Sequence, residues 1–276
     1  MSTWRPSPNC IYTIGDMHGY NVCLDLILKR ILPLRKGDEI VFLGDYIDRG
    51  PDSDKIIDTL MGLIAKYGEQ VTCLMGNHEY LMGTAFNELD ANIHPDAPHP
   101  AQIWLSNGGI QCLQSYAKRA GLSEDKIQGM TLQRFRSLIP DSHFEFIRNL
   151  FLFYETDNYK FMHAGCDPFE DLGSQSRDIL LWDRSLYEYV TKAIFRNKKL
   201  EWDKTIVCGH NWKGPIINDK YIMIDSSVDK RVLCLELNSM EGYFADPNNS
   251  RLVKADIKPT TNPFAAQFKG SFKRHE

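Results

Sequence analysis

No apolar run in this 276-residue chain approaches the roughly 20 residues that a membrane-spanning helix needs. Neither sign of charge is in excess: 32 Lys and Arg stand against 36 Asp and Glu, for a net charge of −4. Such a balance lacks the basic footprint of a protein that binds nucleic acid or an anionic membrane, and neither is expected as a partner. Any phosphate bound here has to be held by local charge. Cys-x-x-Cys does not occur, and the cysteine count is odd, at seven. A disulfide framework or a zinc knuckle is therefore disfavoured. Cys10, Cys73, Cys208 and Cys234 lie in apolar, strand-like runs and read as buried thiols of a reducing cytoplasm. The first nine residues carry one Arg, two Pro and no apolar core, so no secretory leader is expected there and the expected location is cytoplasmic.

What the chain does contain is one design used three times. Cys10-Ile11-Tyr12-Thr13-Ile14 runs into Gly15-Asp16-Met17-His18-Gly19. Ile40-Val41-Phe42-Leu43 runs into Gly44-Asp45-Tyr46-Ile47-Asp48-Arg49-Gly50, and Val71-Thr72-Cys73-Leu74-Met75 into Gly76-Asn77-His78-Glu79. Each time an apolar strand ends in glycine and then presents groups able to bind metal or phosphate. Strand ends followed by glycine turns are where open α/β folds hold ligands. A helix is expected over 21–31, closed by Pro33, and another from Ser53 to Tyr67-Gly68. The resulting β-α-β-α-β order implies a parallel core with helices outside.

Residues 79–155 read differently, with helical segments near 80–86, 111–120, 132–138 and 142–150 around a proline-rich stretch, 92–100. They are expected to form a helical insert or cap over the core of a domain spanning residues 1–245, and His94 and His99 are read as surface histidines. Strand patterns return before His163-Ala164-Gly165, Gly209-His210 and Asp225-Ser226-Ser227, with a last strand at 232–237. Their close spacing suggests an antiparallel second sheet packed on the first. The segment 246–276 is polar and is expected at the periphery.

The set Gly-Asp-x-His-Gly, Gly-Asp-x-x-Asp-Arg-Gly and Gly-Asn-His-Glu resembles the signature of the phosphoprotein phosphatases, which are dinuclear, calcineurin-like metallophosphoesterases. The resemblance covers residues 10–240. It implies an α/β fold of two packed β-sheets flanked by helices, with the site at the strand C-termini. It also implies two divalent metal ions, manganese first, with iron or zinc as alternatives. Asp16, His18 and Asp45 would hold one metal; Asp45 would bridge to a second held by Asn77, His163 and His210. Strand alternation would let Asp16 and His18 face one metal if the chain stays extended past Gly15. For the two late histidines the plainer alternative is a satisfied polar residue after a strand. The metals would activate a water as nucleophile, His78 would act as general acid held by Asp48, and Arg49 would bind phosphate.

Leu180-Leu181-Trp182-Asp183-Arg184 resembles the Trp-x-Arg element of bacterial and phage-type protein phosphatases, which implies a second phosphate-binding residue in Arg184. A surface arginine beside a buried tryptophan is the competing reading. The segment 104–109 resembles a Trp-Leu-x-Asn-Gly-Gly stretch of the same subgroup. Met75 stands where the eukaryotic branch has Arg, and that branch's Ser-Ala-Pro-Asn-Tyr-Cys segment is missing. Asp48 and Glu79 favour the protein-phosphatase side over the symmetrical dinucleoside tetraphosphatases. The function implied is therefore a protein serine/threonine phosphatase acting on a phosphorylated protein or peptide. A nucleotide phosphohydrolase is the first alternative, and a non-catalytic scaffold on the same fold is an alternative of another class.

Overall fold

The computed structural model describes residues 9–90, 98–127 and 129–260. Among these described residues, eleven strands form two sheets. The first has the order β11 (Arg251–Ala255), β10 (Glu241–Asp246), β9 (Val232–Glu236), β1 (Cys10–Ile14), β2 (Asp38–Phe42), β3 (Val71–Cys73), and the second the order β4 (Phe153–Glu155), β5 (Tyr159–Met162), β6 (Thr205–Cys208), β8 (Tyr221–Met223), β7 (Ile216–Ile217). In the first sheet β1 (Cys10–Ile14), β2 (Asp38–Phe42) and β3 (Val71–Cys73) run parallel. They are linked by helices α1 (Asn21–Ile31) and α2 (Ser53–Tyr67), both where the apolar spacing predicts them.

Side-chain alternation explains why the sheets stack. On β2, Ile40 and Phe42 join the helix-side core, while Val41 and the following Leu43 point to the other face. There they meet Tyr154, Phe161, Val207 and Ile222 of the second sheet. A strand covered on both faces has to be apolar throughout, which is why 40–43 shows no polar alternation. In the second sheet Met162, Ile206, Cys208 and Met223 face outward and pack under helices α9 (Arg177–Trp182) and α10 (Ser185–Phe195). The layers thus run helix, sheet, sheet, helix.

After β3 come α3 (Asn77–Ala85), α4 (Pro100–Trp104), α5 (Ile110–Arg119), α6 (Glu124–Ile127), α7 (Leu132–Arg136) and α8 (Asp141–Arg148). These helices pack on the outer face of the first sheet, where Trp104, Tyr116, Phe144 and Ile147 join its core. Between α4 and α5 the chain kinks through Leu105–Gly109, with Gly108 at φ 108°. His99 is exposed and caps α4 by accepting from the Ala101 N–H; His94 lies outside the described residues.

The second sheet holds β4 (Phe153–Glu155), β5 (Tyr159–Met162), β6 (Thr205–Cys208), β7 (Ile216–Ile217) and β8 (Tyr221–Met223). The antiparallel arrangement expected of these late strands is not what forms: β5, β6 and β8 run parallel. The connection from β5 to β6 carries α9 (Arg177–Trp182) and α10 (Ser185–Phe195), long enough to cross back over the sheet, and only the hairpin-like pairs β4–β5 and β7–β8 are antiparallel. The chain returns to the first sheet as β9 (Val232–Glu236), β10 (Glu241–Asp246) and β11 (Arg251–Ala255). Residues 251–255, within the segment expected at the periphery, form its edge strand, and farther on the Thr260 N–H donates to the Ile217 carbonyl at 2.8 Å. All seven cysteines are free, six of them buried. Among the described residues no helix is long and apolar enough to cross a membrane.

Phe161 is fully buried between the sheets and stacks on Tyr154 at 5.6 Å. Phe161→Ala is expected to cost about 3–5 kcal/mol, read from urea denaturation. A loss below 1 kcal/mol would mean that the two sheets do not share this core.

Candidate active site

Every candidate side chain but Arg184 leaves the C-terminal end of a parallel strand or the turn beyond it. Asp16 and His18 follow β1; Asp45, Asp48 and Arg49 follow β2; Asn77 and His78 follow β3 at the start of α3; His163 follows β5 and His210 follows β6. Two parallel sets, one from each sheet, therefore converge on one place, with Arg184 reaching in from the α9–α10 turn. A cleft of about 70 Å³ is lined by Asp16, His18, Asp45, Arg49, Asn77, His78, Arg184 and His210, together with Asn107, Trp182, Trp212 and Asp225. Asp48 and His163 sit behind this lining, fully buried.

The backbone there is strained. His18, Asp45, Asp48, Arg49 and His210 have φ of 41°, 53°, 72°, 62° and 64°, a left-handed conformation that costs a non-glycine residue about 1 kcal/mol or more. The extended chain assumed past Gly15 is thus not present, and His18 reaches the cleft through a left-handed turn. Glu79 stabilises the central turn. It is fully buried at the third position of α3, and one carboxylate oxygen accepts from the N–H groups of Asp45 (2.9 Å) and Gly76 (3.0 Å). The other accepts from Tyr46 (2.8 Å) and Ile47 (3.2 Å). Burial, reinforced by the Asp45 charge, pushes the Glu79 pKa to about 7. The Arg49 N–H donates to the Gly108 carbonyl at 3.1 Å. Gly76 must be glycine because a Cβ there would collide with the amide and carboxylate of Asp45.

Asp45 faces two groups of donors. One of its oxygens lies 3.4 Å from His163 Nε2, and the other 3.6 Å from His18 Nε2 and 3.9 Å from His78 Nε2. Two clusters suited to a metal ion result, His18–Asp45–His78 and Asp45–His163–His210, with Asp45 common to both. Asp16 belongs to neither. Its carboxylate accepts from the His210 N–H at 3.2 Å, and burial together with the nearby Asp225 charge raises its pKa.

The tautomers are set by the backbone. Nδ1 of His18 donates to the Ile47 carbonyl at 3.1 Å, and Nδ1 of His163 to the Leu43 carbonyl at 2.8 Å. In both, Nε2 is left to face the site, the arrangement typical of metal-binding histidines. His163 Nε2 then lies 2.9 Å from Asn77 Oδ1, and His210 Nδ1 lies 2.9 Å from the same oxygen. His163 already uses Nδ1 on the backbone, so its Nε2 lone pair against this amide oxygen calls for positive charge between them, as a proton or as a cation. Burial disfavours protonated His163, yet the Asp45 carboxylate outweighs it and lifts the pKa to about 10, while burial and the neighbouring His163 drive His210 down to about 3. Carboxylate, amide oxygen and imidazole are the donors that divalent ions of borderline hardness take, so the residues fit such an ion.

His78 is 1% exposed, and its Nδ1 meets Asp48 Oδ2 at 2.6 Å. Trp104 Nε1 donates to both oxygens of Asp48, at 3.1 and 3.0 Å. Burial lowers the His78 pKa, but the Asp45 and Asp48 carboxylates more than offset this and leave it raised. The Arg49 guanidinium lies at the mouth, 2.9 Å from His18 Nε2 and 3.1 Å from His78 Nε2. Arg184 Nε donates to His210 Nε2 at 3.3 Å. Arg184 itself is exposed, and its neighbour Trp182 is 37% exposed rather than buried.

Three contributors escaped sequence reasoning: Glu79 as the support of the central turn, Trp104 as the clamp on Asp48, and Asp225 beside Asp16. Asp225 follows the apolar run 221–224 and repeats the strand-then-acid design, a signal that could have found it. Glu79→Gln keeps the shape but turns an NH₂ group toward one of the two N–H pairs. We expect it to lose roughly 2–4 kcal/mol in urea denaturation and to weaken metal retention; unchanged stability would refute the supporting role. Asp45→Asn should lower the bound divalent metal, measured by elemental analysis, more than any other single ligand change. Retention of two ions would show that Asp45 does not bridge.

Comparison with known proteins follows the same lines. Over 118 residues the chain is 33% identical to serine/threonine-protein phosphatase 1 of Salmonella typhimurium, spanning 41% of this chain and 45% of that one. Over 69 residues it is 35% identical to the symmetrical bis(5'-nucleosyl)-tetraphosphatase of Delftia acidovorans, spanning 25% and 23%. The matches thus span less than half the length of these relatives. A protein serine/threonine phosphatase structure from Saccharomyces cerevisiae superposes with a TM-score of 0.51 at 17% identity, over 95% of this chain and 87% of that one, a likeness of fold. Residues 11–212, from the first strand to the turn just after His210, match the calcineurin-like phosphoesterases, and the chain belongs to that family.

Proposed function

We propose that this protein is a metal-dependent phosphomonoesterase that removes phosphate from phosphoserine or phosphothreonine in a protein. The observation that carries the reading is the buried His78–Asp48 pair, 2.6 Å apart, beside two clusters of metal donors that share Asp45. Asp16, His18, Asp45, Asn77, His163 and His210 would hold two divalent ions, manganese being the first to test and iron or zinc the alternatives. When bound, such ions polarise a phosphoryl group and make a water nucleophilic near neutral pH.

The chain's own residues would do the rest. Arg49 and Arg184 stand at the cleft with guanidinium groups that fit non-bridging phosphate oxygens. A serine alkoxide is a strong base and needs a proton as it leaves. His78 can donate one from Nε2, while Asp48 holds Nδ1 and favours the charged imidazole. Trp104 keeps the Asp48 carboxylate aligned and dry. The local similarity to the Delftia acidovorans tetraphosphatase supports a second reading, cleavage of a dinucleoside polyphosphate, to be assayed in parallel with diadenosine tetraphosphate.

His78→Asn is the decisive variant. Loss of a general acid costs about 10²- to 10⁴-fold, and the cost depends on the leaving group. Under saturating manganese, turnover of phosphoserine peptides should fall steeply, and that of p-nitrophenyl phosphate much less, because nitrophenolate leaves without help. Asp48→Asn should show the same selectivity in weaker form, and Arg49→Ala should impair both substrates alike. Metal content is measured alongside, because His78 also lies within reach of the first donor cluster. Equal losses on both substrates, accompanied by loss of metal, would make His78 a ligand and remove it as the acid.

A further inference from the structure

Beside the catalytic cleft lies a second, larger depression of about 380 Å³, lined by Cys166, Asp167, Pro168, Phe169, Ile179, Asp183, Ser185, Leu186 and Tyr189. Nothing in the chemistry described so far uses it. Its position follows from the α9–α10 turn: Trp182 and Arg184 line the catalytic cleft, and Ile179, Asp183 and Ser185 line the groove. One short segment is the wall between the two, and neighbouring Cα atoms along it are only about 3.8 Å apart.

Exposed apolar surface gathers on this side of the molecule. Phe169 is 73% exposed, Tyr189 55% and Ile179 39%, and at the adjoining cleft Trp212 is 50% exposed. Contiguous apolar exposure of this kind marks a contact surface. These side chains are also held in place. The rings of Phe169 and Tyr189 each lie 6.4 Å from Trp202, a buried indole whose N–H donates to the Lys220 carbonyl at 2.8 Å. The loop that carries Phe169 is tied to Gln175, which bonds the Asp167 N–H at 2.8 Å and the Asp167 carbonyl at 2.7 Å. Buried Lys160 reaches the carbonyls of Pro168 and Glu170, both at 3.4 Å. On the other wall, Asp183 accepts from the Leu186 N–H in the first turn of α10 at 3.1 Å. A preformed groove binds without the cost of ordering its walls.

We propose that this groove is a specificity site that seats a large apolar side chain of the phosphoprotein substrate close in sequence to the residue being dephosphorylated; the proposal rests on the protein-phosphatase reading above. An extended peptide advances about 3.3 Å per residue, so with its phosphate beside Arg184 it brings the second or third residue along over the groove. The charged groups in the lining are both carboxylates, Asp167 and Asp183, so a basic neighbour is favoured and a second acidic residue is not.

The test uses the full chain loaded with manganese and a set of phosphoserine peptides. Leucine or phenylalanine is walked through three positions on either side of the phosphoserine in an alanine background that carries one lysine. One position is expected to raise kcat/KM by roughly 10-fold, mainly through KM. The double variant Phe169→Ala/Tyr189→Ala, made at exposed positions, should abolish that preference and leave p-nitrophenyl phosphate and the all-alanine peptide unchanged, with the same urea midpoint as the wild type. Hydrolysis of all peptides at equal rates, or a preference that survives the double variant, overturns the groove assignment and leaves the phosphatase reading standing. If diadenosine tetraphosphate is cleaved and no peptide is, the parent reading falls, and the groove assignment with it.

Discussion

The site depends on one carboxylate that does not itself line the cleft. Glu79 gathers four backbone N–H groups from two separate strand ends, and in doing so fixes where Asp45 stands relative to Asn77 and His78. Buried N–H groups without partners cost 1–3 kcal/mol each by order of magnitude, so the turn has little freedom to unwind while Glu79 is in place. That compensation is what lets Asp45, Asp48 and Arg49 persist in left-handed backbone. The strain is useful, because a turn of this shape presents two carboxylates and a guanidinium within a few residues without a helix or strand to space them apart.

The helical segment between β3 and β4 in the chain contributes more than cover. Its Trp104 grips Asp48, and the carbonyl of Gly108 accepts from the Arg49 N–H. The His78–Asp48 pair and Arg49 are therefore positioned from both sides, by the sheet beneath and by the helices above. The second sheet contributes His163, His210 and Asp225 from the ends of its own parallel strands. Closing the sandwich thus completes the donor set at the same moment as it buries Phe161 and Val207.

Much of this was legible in the sequence, and the reason is local. The strand–glycine–ligand design places a side chain at a strand end whatever the rest of the fold does, and the donors expected from Asp16 to His210 do converge on the cleft. The boundaries of α1 and α2 were marked by apolar spacing and flanking Pro and Gly. What could not be read depends on partners distant in sequence. Glu79 looks like the last letter of a motif until the N–H groups it serves are seen. The parallel pairing of β5 with β6 depends on a long connection crossing back over the sheet, and spacing between apolar runs carries no such information. Asp16 and His18 were expected to share a face by strand alternation, but the alternation stops at Gly15, and each reaches the cleft by its own route.

The Asp16 carboxylate accepts from the backbone N–H of His210, 194 positions later. A chain synthesised from its N-terminus exposes Asp16, His18, Asp45 and Asn77 well before either late histidine exists. Until then those early donors form half a site, able to meet cations only loosely. Tight coordination becomes available only when β6 docks beside β5. Bound metal would therefore favour the finished fold over every partly made one, because a ligand stabilises the state that binds it best. In this protein the ion would report that β5 and β6 have met the first sheet.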